Sequence, residues 1–516
     1  MNENIIIVDF GSQVTKLIAR RVRDFGVFSQ IIPFQKLTEK SFENILVKGL
    51  IFSGGPSSVG NENAPKIKKF VYKLNIPILG VCYGLQLICR DFGGKVQLSK
   101  EREFGKTKIQ ILKNSPLLRN VYNNKNQYRV WMSHSDKVIK MPEGFEVLAS
   151  STNCSSVIIQ SLKDKIFGVQ FHPEVVHTQN GDKLLKNFIV DICGCKQNWS
   201  MNKFKNKMIE SIKNKVGSER VLCALSGGVD STVTAVLVHK AIKNQLQCVF
   251  VNTGLMRKNE VEIIKKLFIK NYNISLDVVD ASKIFLNKLK GITDPEKKRK
   301  TIGKQFIKVF EKYSNKKKNI KFLAQGTLYP DIIESLSQVG DSKVTIKSHH
   351  NVGGLPKKIK FKLLEPLKEL FKDEVRKLGK ELAISKEFVN RHPFPGPGLG
   401  IRILGEISKK KIKILQEADH IYLNLIRKHG LYDKIWQAFC VLLPTKTVGV
   451  MGDGRSYEQV CVLRAVTSVD GMTAEAYKFS NSFLEICSNE IINKVKGINR
   501  VCYDLTSKPP GTIEFE

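Results

Sequence analysis

Apolar runs and helix-spaced apolar positions alternate along the first 195 residues of the chain. Ile5-Ile6-Ile7-Val8 reads as a buried strand. Val14, Leu17, Ile18, Arg21, Val22 and Phe25 then follow helical spacing up to Gly26. Leu50-Ile51-Phe52, Ile76 to Val81 and Phe167 to Phe171 predict further strands, an alternation expected of an α/β domain. Residues 196 to 206 are polar and basic and read as a linker. A second α/β segment begins near Val221 and continues through the strand Cys248 to Val251. It ends at the Pro/Gly stretch His392 to Gly398. Beyond it, strand-like segments (Ala438 to Leu443, Val448 to Val450, Arg500 to Leu505) mix with two helix-like stretches. The expected domains are 1–195, 196–390 and 391–516.

Bulk properties add limits. A length of 516 residues is roughly three domains on the usual size prior. With 42% hydrophobic and 26% charged residues the chain reads as globular, and no segment approaches the ~20 apolar residues of a membrane span. The N-terminal sequence lacks the basic start of a signal peptide. Eleven cysteines without a C-x-x-C pair argue for a reduced compartment, so a cytoplasmic location without membrane association is expected. The net charge of +36 invites a nucleic-acid reading. Its lysines are dispersed, however, and no basic run is interleaved with aromatics. Solvated surface with a minority of phosphate-binding positions is the expectation, with no nucleic-acid partner.

Chemistry enters first at Ser226-Gly227-Gly228-Val229-Asp230-Ser231, directly after the apolar run Val221 to Leu225. Buried strand, tight loop and helix start present unpaired N–H groups and the positive end of a helix dipole to an anion. The glycines allow close approach of a phosphate, while Ser226, Ser231 and Thr232 add hydroxyl donors. Asp230 would repel a phosphate unless Mg²⁺ lay between them; the plainer reading makes Asp230 or Ser231 an N-cap.

A second constellation surrounds Cys82 in Ile78-Leu79-Gly80-Val81-Cys82-Tyr83-Gly84-Leu85-Gln86. It places a thiol at a strand-to-helix turn, where the dipole favours thiolate and Gly80 and Gly84 permit the elbow. Downstream, His172-Pro173-Glu174 offers a proton shuttle and a carboxylate to orient it. The amides of Gly54, Gly55 and Tyr83 are candidate oxyanion donors. Cys154 lies near no comparable elbow and reads as structural.

The hexapeptide resembles the PP-loop of ATP pyrophosphatases; no Gly-Lys-Ser/Thr follows its glycines, so it is not the kinase P-loop. The N-terminal segment resembles the class I glutamine amidotransferases through G-V-C-Y-G-L-Q and H-P-E. That resemblance implies a glutamyl thioester on Cys82, His172 as base and Glu174 as its orienter. It also implies glutamine binding near Gln86 and by Ser133, His134, Ser135 and Asp136.

Further blocks extend the resemblance over essentially the whole chain to the GMP synthase family, in which XMP is adenylated and ammonia then displaces AMP. They include Gly291 to Lys300, Gln325 to Asp331, Ile346 to Pro356, Arg391 to Gly400, Val450 to Arg455 and Lys508 to Glu514. The implied architecture is α/β: a glutaminase domain, a doubly wound parallel-sheet pyrophosphatase domain and a smaller α+β dimerisation domain. The substrates would be XMP, glutamine and ATP with Mg²⁺, the assembly a homodimer. Arg299 and Lys508 suit the XMP phosphate, with Thr512, Glu514 and Gln437 as further pocket candidates. His349-His350 before Gly353-Gly354 reads as a lid rather than a metal site. Asp453 reads as a turn residue. One departure is Asn252, where the family usually shows Asp.

Glutamine-dependent NAD synthetases are expected to resemble this chain only at the PP-loop, and sulfur-inserting tRNA enzymes share that loop as well. The first have a glutaminase of another class, and the second need no Cys-His-Glu site.

Overall fold

The computed structural model describes the chain except residues 1–2, 44, 125, 318, 338–360, 452–453 and 469–472, together with the side chains at 99–102, 334–337 and 451. It forms two compact units, the first built on Met1–Phe204 and the second on Lys205–Ile332 and the chain beyond residue 341. The expected His349-His350 lid, its Gly353-Gly354 hinge and the Asp453 turn lie outside the described residues.

In the first unit, nine strands make one mixed sheet: β1 (Glu3–Asp9), β2 (Phe28–Pro33), β3 (Leu46–Phe52), β4 (Ile78–Val81), β5 (Lys95–Ile111), β6 (Gln127–Lys140), β7 (Glu146–Ser151), β8 (Ile158–Ser161) and β9 (Ile166–Val169). Their order is β2-β1-β3-β4-β9-β8-β7-β5-β6. The strands that carry the chemistry, β3, β4 and β9, are parallel neighbours in its centre. Apolar runs buried on both faces explain this, since Ile5 to Val8, Leu50 to Phe52 and Ile78 to Val81 are all inside. Ser133 to Asp136, the residues implied to bind glutamine, lie within β6, paired antiparallel to β5.

The chain passes from the first unit to the second within the helix Met201–Val216, so the polar stretch expected to be a linker is helical from Met201 onward. Its lysines lie on the solvated side of an amphipathic helix that buries Phe204, Ile212 and Val216. Five parallel strands follow: β10 (Arg220–Leu225), β11 (Leu246–Asn252), β12 (Leu276–Asp280), β13 (Ile320–Ala324) and β14 (Lys362–Leu364). Their order, β12-β11-β10-β13-β14, reverses direction beside β10, and such a switch point opens a crevice at the strand C-termini. The C-terminal sheet contains β15 (Gln437–Met451), β16 (Gly454–Thr467), β17 (Glu475–Ala476) and β18 (Ile498–Tyr503). The two strands expected before residue 451 are one continuous strand, β15. Helices Lys409–Lys428 and Asn481–Lys494 pack with this sheet. One hydrophobic core runs from Val251, Leu255 and Phe285 through Leu399 and Ile403 to Leu442 and Ile498, so packing is unbroken across residue 390.

Two very close backbone approaches lie beside the Cys82 turn. A Cβ on Gly84 would sit 2.5 Å from the Phe52 carbonyl oxygen, and one on Gly80 would sit 2.6 Å from the Leu85 nitrogen. Both obstacles are backbone and cannot swing away. Gly84→Ala is therefore expected to destabilise the first unit by about 1–3 kcal/mol, read as a lower denaturant midpoint for its unfolding.

Candidate active sites

Strand β4 ends at Val81 and a helix starts at Tyr83, so Cys82 makes the whole turn, with φ 51° and ψ −105°. Such a conformation costs about 1–3 kcal/mol for a side-chain-bearing residue and is held by its surroundings. The Cys82 amide donates to the Val169 carbonyl at 2.7 Å, and the Gly84 amide donates to the Ser53 carbonyl at 3.2 Å.

His172 follows β9, and its backbone is clamped from two sides. Its amide donates to the Trp131 carbonyl at 3.0 Å, while Thr178 Oγ1 donates to its carbonyl at 2.6 Å. Its Nδ1 lies 2.8 Å from Glu174 Oε1, both side chains being buried, which leaves Nε2 for the sulfur. Burial works against charge on this imidazole, but hydrogen bonds to Cys82 and Glu174 and the charges of both groups outweigh it. Together they lift its pKa from 6.5 to about 10. The Arg21 Nε holds the Glu174 carbonyl at 3.2 Å.

Gly54 follows β3, and a Cβ there would sit 3.2 Å from the His172 ring. The Ser53 amide is occupied by the Val8 carbonyl at 3.0 Å. Among the described residues, the amides of Gly54, Gly55 and Tyr83 have no acceptor. Gly54 is beside the His172 ring and Tyr83 directly follows Cys82 in the chain, so these open amides stay candidates for holding an oxyanion.

The other residues expected to bind glutamine are placed unevenly. Ser133 is exposed, with its carbonyl 3.6 Å from the Cys82 sulfur, and Ser135 is half-buried. His134 is inside, with Nδ1 on the Asp136 carbonyl at 3.0 Å and Nε2 on Glu103 at 3.2 Å. Ser58 Oγ donates to the Asp136 carboxylate. Gln86 is buried and its Nε2 serves the Asp136 carbonyl at 3.0 Å. Cys154 is buried with its thiol pushed up to about 11 by desolvation, in keeping with a structural cysteine.

In the second unit the loop after β10 wraps on itself. Gly227 takes φ 78°, and the helix Val229–Ile242 starts from Gly228 as N-cap rather than from Asp230 or Ser231. With no side chain to cap, Gly228 leaves the first-turn amides open, while Ser231 and Thr232 hydroxyls donate to its carbonyl at 3.1 and 2.8 Å. The Ser226 and Ser231 hydroxyls lie 3.1 Å apart. Arg391 Nη1 donates to the Gly227 carbonyl at 3.0 Å and its guanidinium pairs with buried Glu260, so a residue 164 positions downstream braces the loop. Asp230 has Oδ2 3.5 Å from Lys372, and its buried Oδ1 has no partner among the described residues. That orphaned oxygen fits a hard cation. Among the described residues, no group of three or more His, Cys, Asp or Glu can hold a metal. Further ligands for Mg²⁺ would therefore come from nucleotide phosphates and water. At the end of β11, Asn252 Oδ1 accepts from the Gly254 amide at 3.0 Å, and its Nδ2 donates to Asp280 at 3.3 Å. The amide thus joins two groups where a carboxylate would face Asp280.

The C-terminal tail gathers most of the remaining expected residues. Gln437 Nε2 donates to Glu514 at 2.6 Å, Thr512 Oγ1 donates to the Glu514 carbonyl, and Arg299 donates to the Glu516 carbonyl. Lys508 is tied through its backbone to Ala474 at 2.7 Å. The Glu514 carboxylate is held by Arg402 at 2.8 and 3.0 Å. Lys298 pairs with Glu516 at 2.5 Å, and Arg464 holds Asp504 at 3.1 Å and the Thr512 carbonyl at 3.1 Å. Lys298, Arg402 and Arg464, all fully buried, were not singled out from the sequence. For Arg402 and Arg464 the signal was a lone cation inside an apolar run, as in Val462-Leu463-Arg464-Ala465-Val466 and Ile401-Arg402-Ile403, whereas Lys298 sits between Lys297 and Arg299 and had none.

Fold and site together define a class I glutamine amidotransferase joined to an ATP-pyrophosphatase-type synthetase. The class-I glutamine amidotransferase family matches residues 6–192, the NAD synthase family residues 201–311 and the GMP synthase C-terminal domain family residues 424–515. A glutamine-hydrolysing GMP synthase of Bartonella bacilliformis is 56% identical over 515 residues, covering 100% of this chain and 99% of that protein. Those of Bartonella henselae and Rhizobium etli are 55% and 54% identical, again over 100% of this chain and 99% of theirs. The chain belongs to the family of glutamine-hydrolysing GMP synthases.

The raised pKa of His172 has a consequence for stability. A group whose folded value lies above its unfolded one contributes fully below pH 6.5, and that contribution is lost as pH rises through about 10. The first unit is expected to lose stability over that window, and Glu174→Gln to flatten the loss. Denaturant unfolding of both proteins at a series of pH values measures it.

Proposed function

We propose that two sites divide the glutamine-dependent synthesis of GMP from XMP, in segments 1–195 and 196–390, with 391–516 completing the nucleotide pocket. Cys82 attacks the glutamine amide carbon as His172 Nε2 takes the thiol proton. The amides of Gly54, Gly55 and Tyr83 receive the developing oxyanion. Ammonia departs with the proton carried by His172, and water then releases glutamate from the thioester. The observation that carries this reading is the Cys82 turn at φ 51° beside an imidazole raised to about 10. Ser133, His134, Ser135 and Asp136 then bound the glutamine site, with Ser133 and Ser135 presenting polar groups to it and Gln86, His134 and Asp136 holding the strand in place.

At the second site the loop Ser226 to Thr232, with Val229 closing its first turn, cradles the pyrophosphate portion of ATP through open amides and hydroxyls. Bound Mg²⁺ would neutralise phosphate charge there, with Asp230 the residue to hold it. An oxygen of XMP attacks the α-phosphorus, pyrophosphate leaves, and ammonia displaces AMP from the adenylated purine. Arg299, Gln437, Lys508, Thr512 and Glu514 recognise XMP, with Arg402 and Gln437 holding the Glu514 carboxylate. Confinement of both sites to one chain keeps the ammonia unprotonated and concentrated.

A cytoplasmic homodimer is part of this reading. All eleven cysteines are free, as a reducing compartment leaves them. The exposed apolar residues Val448, Val450 and Tyr457 on β15 and β16 suit contact with a second copy. Among the described residues, no helix is long and apolar enough to cross a membrane.

Cys82→Ala is expected to lose glutamine-dependent GMP formation and keep formation from added ammonium, whereas Asp230→Ala loses both. Assays with each nitrogen source, quantifying AMP and pyrophosphate beside GMP, check this. Loss of ammonium-driven activity in a folded Cys82→Ala protein contradicts the two-site division.

A further inference from the structure

Gln170 lies two residues before His172 and is completely buried, yet its side chain meets the nucleophile. Its Nε2 is 3.5 Å from Cys82 Sγ, and its Oε1 accepts from Gln86 Nε2 at 3.3 Å. The amide orientation follows from the network. Gln86 also meets the Asp136 carbonyl at 3.0 Å, and a carbonyl only accepts, so that end of Gln86 must be its NH₂. The Gln170 atom facing that NH₂ must then be its oxygen, which turns the Gln170 NH₂ toward the sulfur. The backbone is fixed as well, the Gln170 amide donating to the Val157 carbonyl at 2.8 Å.

The sulfur therefore has two polar neighbours of opposite kind. The Ser133 carbonyl, 3.6 Å away, can only accept and so partners the protonated thiol. An amide NH₂ can only donate and so partners the thiolate. We infer that Gln170 is a positioning residue that holds the Cys82 thiolate in line for attack, and that Gln86 acts through it by fixing its orientation. This rests on Cys82 being the nucleophile.

The test is the pH dependence of Cys82 alkylation by iodoacetamide, followed by peptide mass spectrometry. It requires no glutamine turnover, so it separates this inference from the assignment of Cys82, which the Cys82→Ala assays test. Gln170→Leu removes the donor at similar volume and is expected to lower Cys82 reactivity at neutral pH roughly tenfold, with the midpoint displaced upward. Gln86→Leu should move the midpoint in the same direction by less. Gln170→Glu should move it furthest, because a carboxylate beside the sulfur opposes the thiolate. The denaturant midpoint of the first unit, measured for each variant beside the parent protein, reports that it is folded. A midpoint unchanged in folded Gln170→Leu overturns the inference. If that protein does not fold, unchanged midpoints in Gln170→Glu and Gln86→Leu overturn it equally.

Discussion

The chain must turn from β4 into a helix within one residue, and much of the glutaminase site follows from that turn. A φ of 51° at Cys82 lifts the sulfur clear of the sheet and opens the helix at Tyr83, freeing its amide. The turn can exist only if the neighbouring backbones come very close. Gly80 and Gly84 allow this, the Phe52 carbonyl occupying the place a side chain on residue 84 would need. Neighbours over-determine the strained residue: Val169 binds its amide, and the Ser53 carbonyl anchors the helix through Gly84. Local strain is thereby set against the packing of the parallel strands at the centre of the sheet.

The second unit solves a related problem with different residues. It too ends a buried parallel strand in a loop that opens a helix, but in the proposed function the ligand there is an anion and the nucleophile arrives from outside. Gly227 takes the positive φ, and Gly228 leaves the first helical turn uncapped by any side chain. Both sites thus use the C-terminal ends of parallel strands, where loops are free and helix dipoles point the right way. The tail adds a third device. Buried Lys298, Arg402 and Arg464 each meet an acidic residue near the chain end, so the last residues are fixed by charge pairing deep in the protein. Breaking such pairs leaves a buried cation without a counter-charge, a far larger penalty than losing a surface bridge.

What the sequence disclosed and what it hid differ in kind. Cys82, His172 and Glu174 were legible because the elbow needs glycines at fixed offsets, and because a histidine and its carboxylate lie two residues apart. The α/β character was legible from apolar runs alternating with helical spacing, while the parallel sheet of the second unit was implied by the resemblance. Gln170 was not, since nothing local distinguishes a glutamine aimed at sulfur from one on the surface; only the packing of β9 against β4 reveals it. The N-cap at Gly228 and the helix beginning at Met201 were misjudged for another reason. Short polar side chains and lysine-rich stretches are compatible with caps, linkers and solvated helices alike. Arg391 bracing Gly227 joins residues 164 apart, a separation no motif encodes.

The central claim is that the Cys82 turn makes this cysteine the nucleophile among the eleven in the chain. Acid-quenching the protein during turnover with isotope-labelled glutamine, then mapping the label by peptide mass spectrometry, tests it most directly. The account predicts a labelled glutamyl adduct on the peptide carrying Cys82, absent from Cys82→Ala. Label on another cysteine, such as Cys154, or glutamine-dependent turnover persisting in Cys82→Ala, would contradict it.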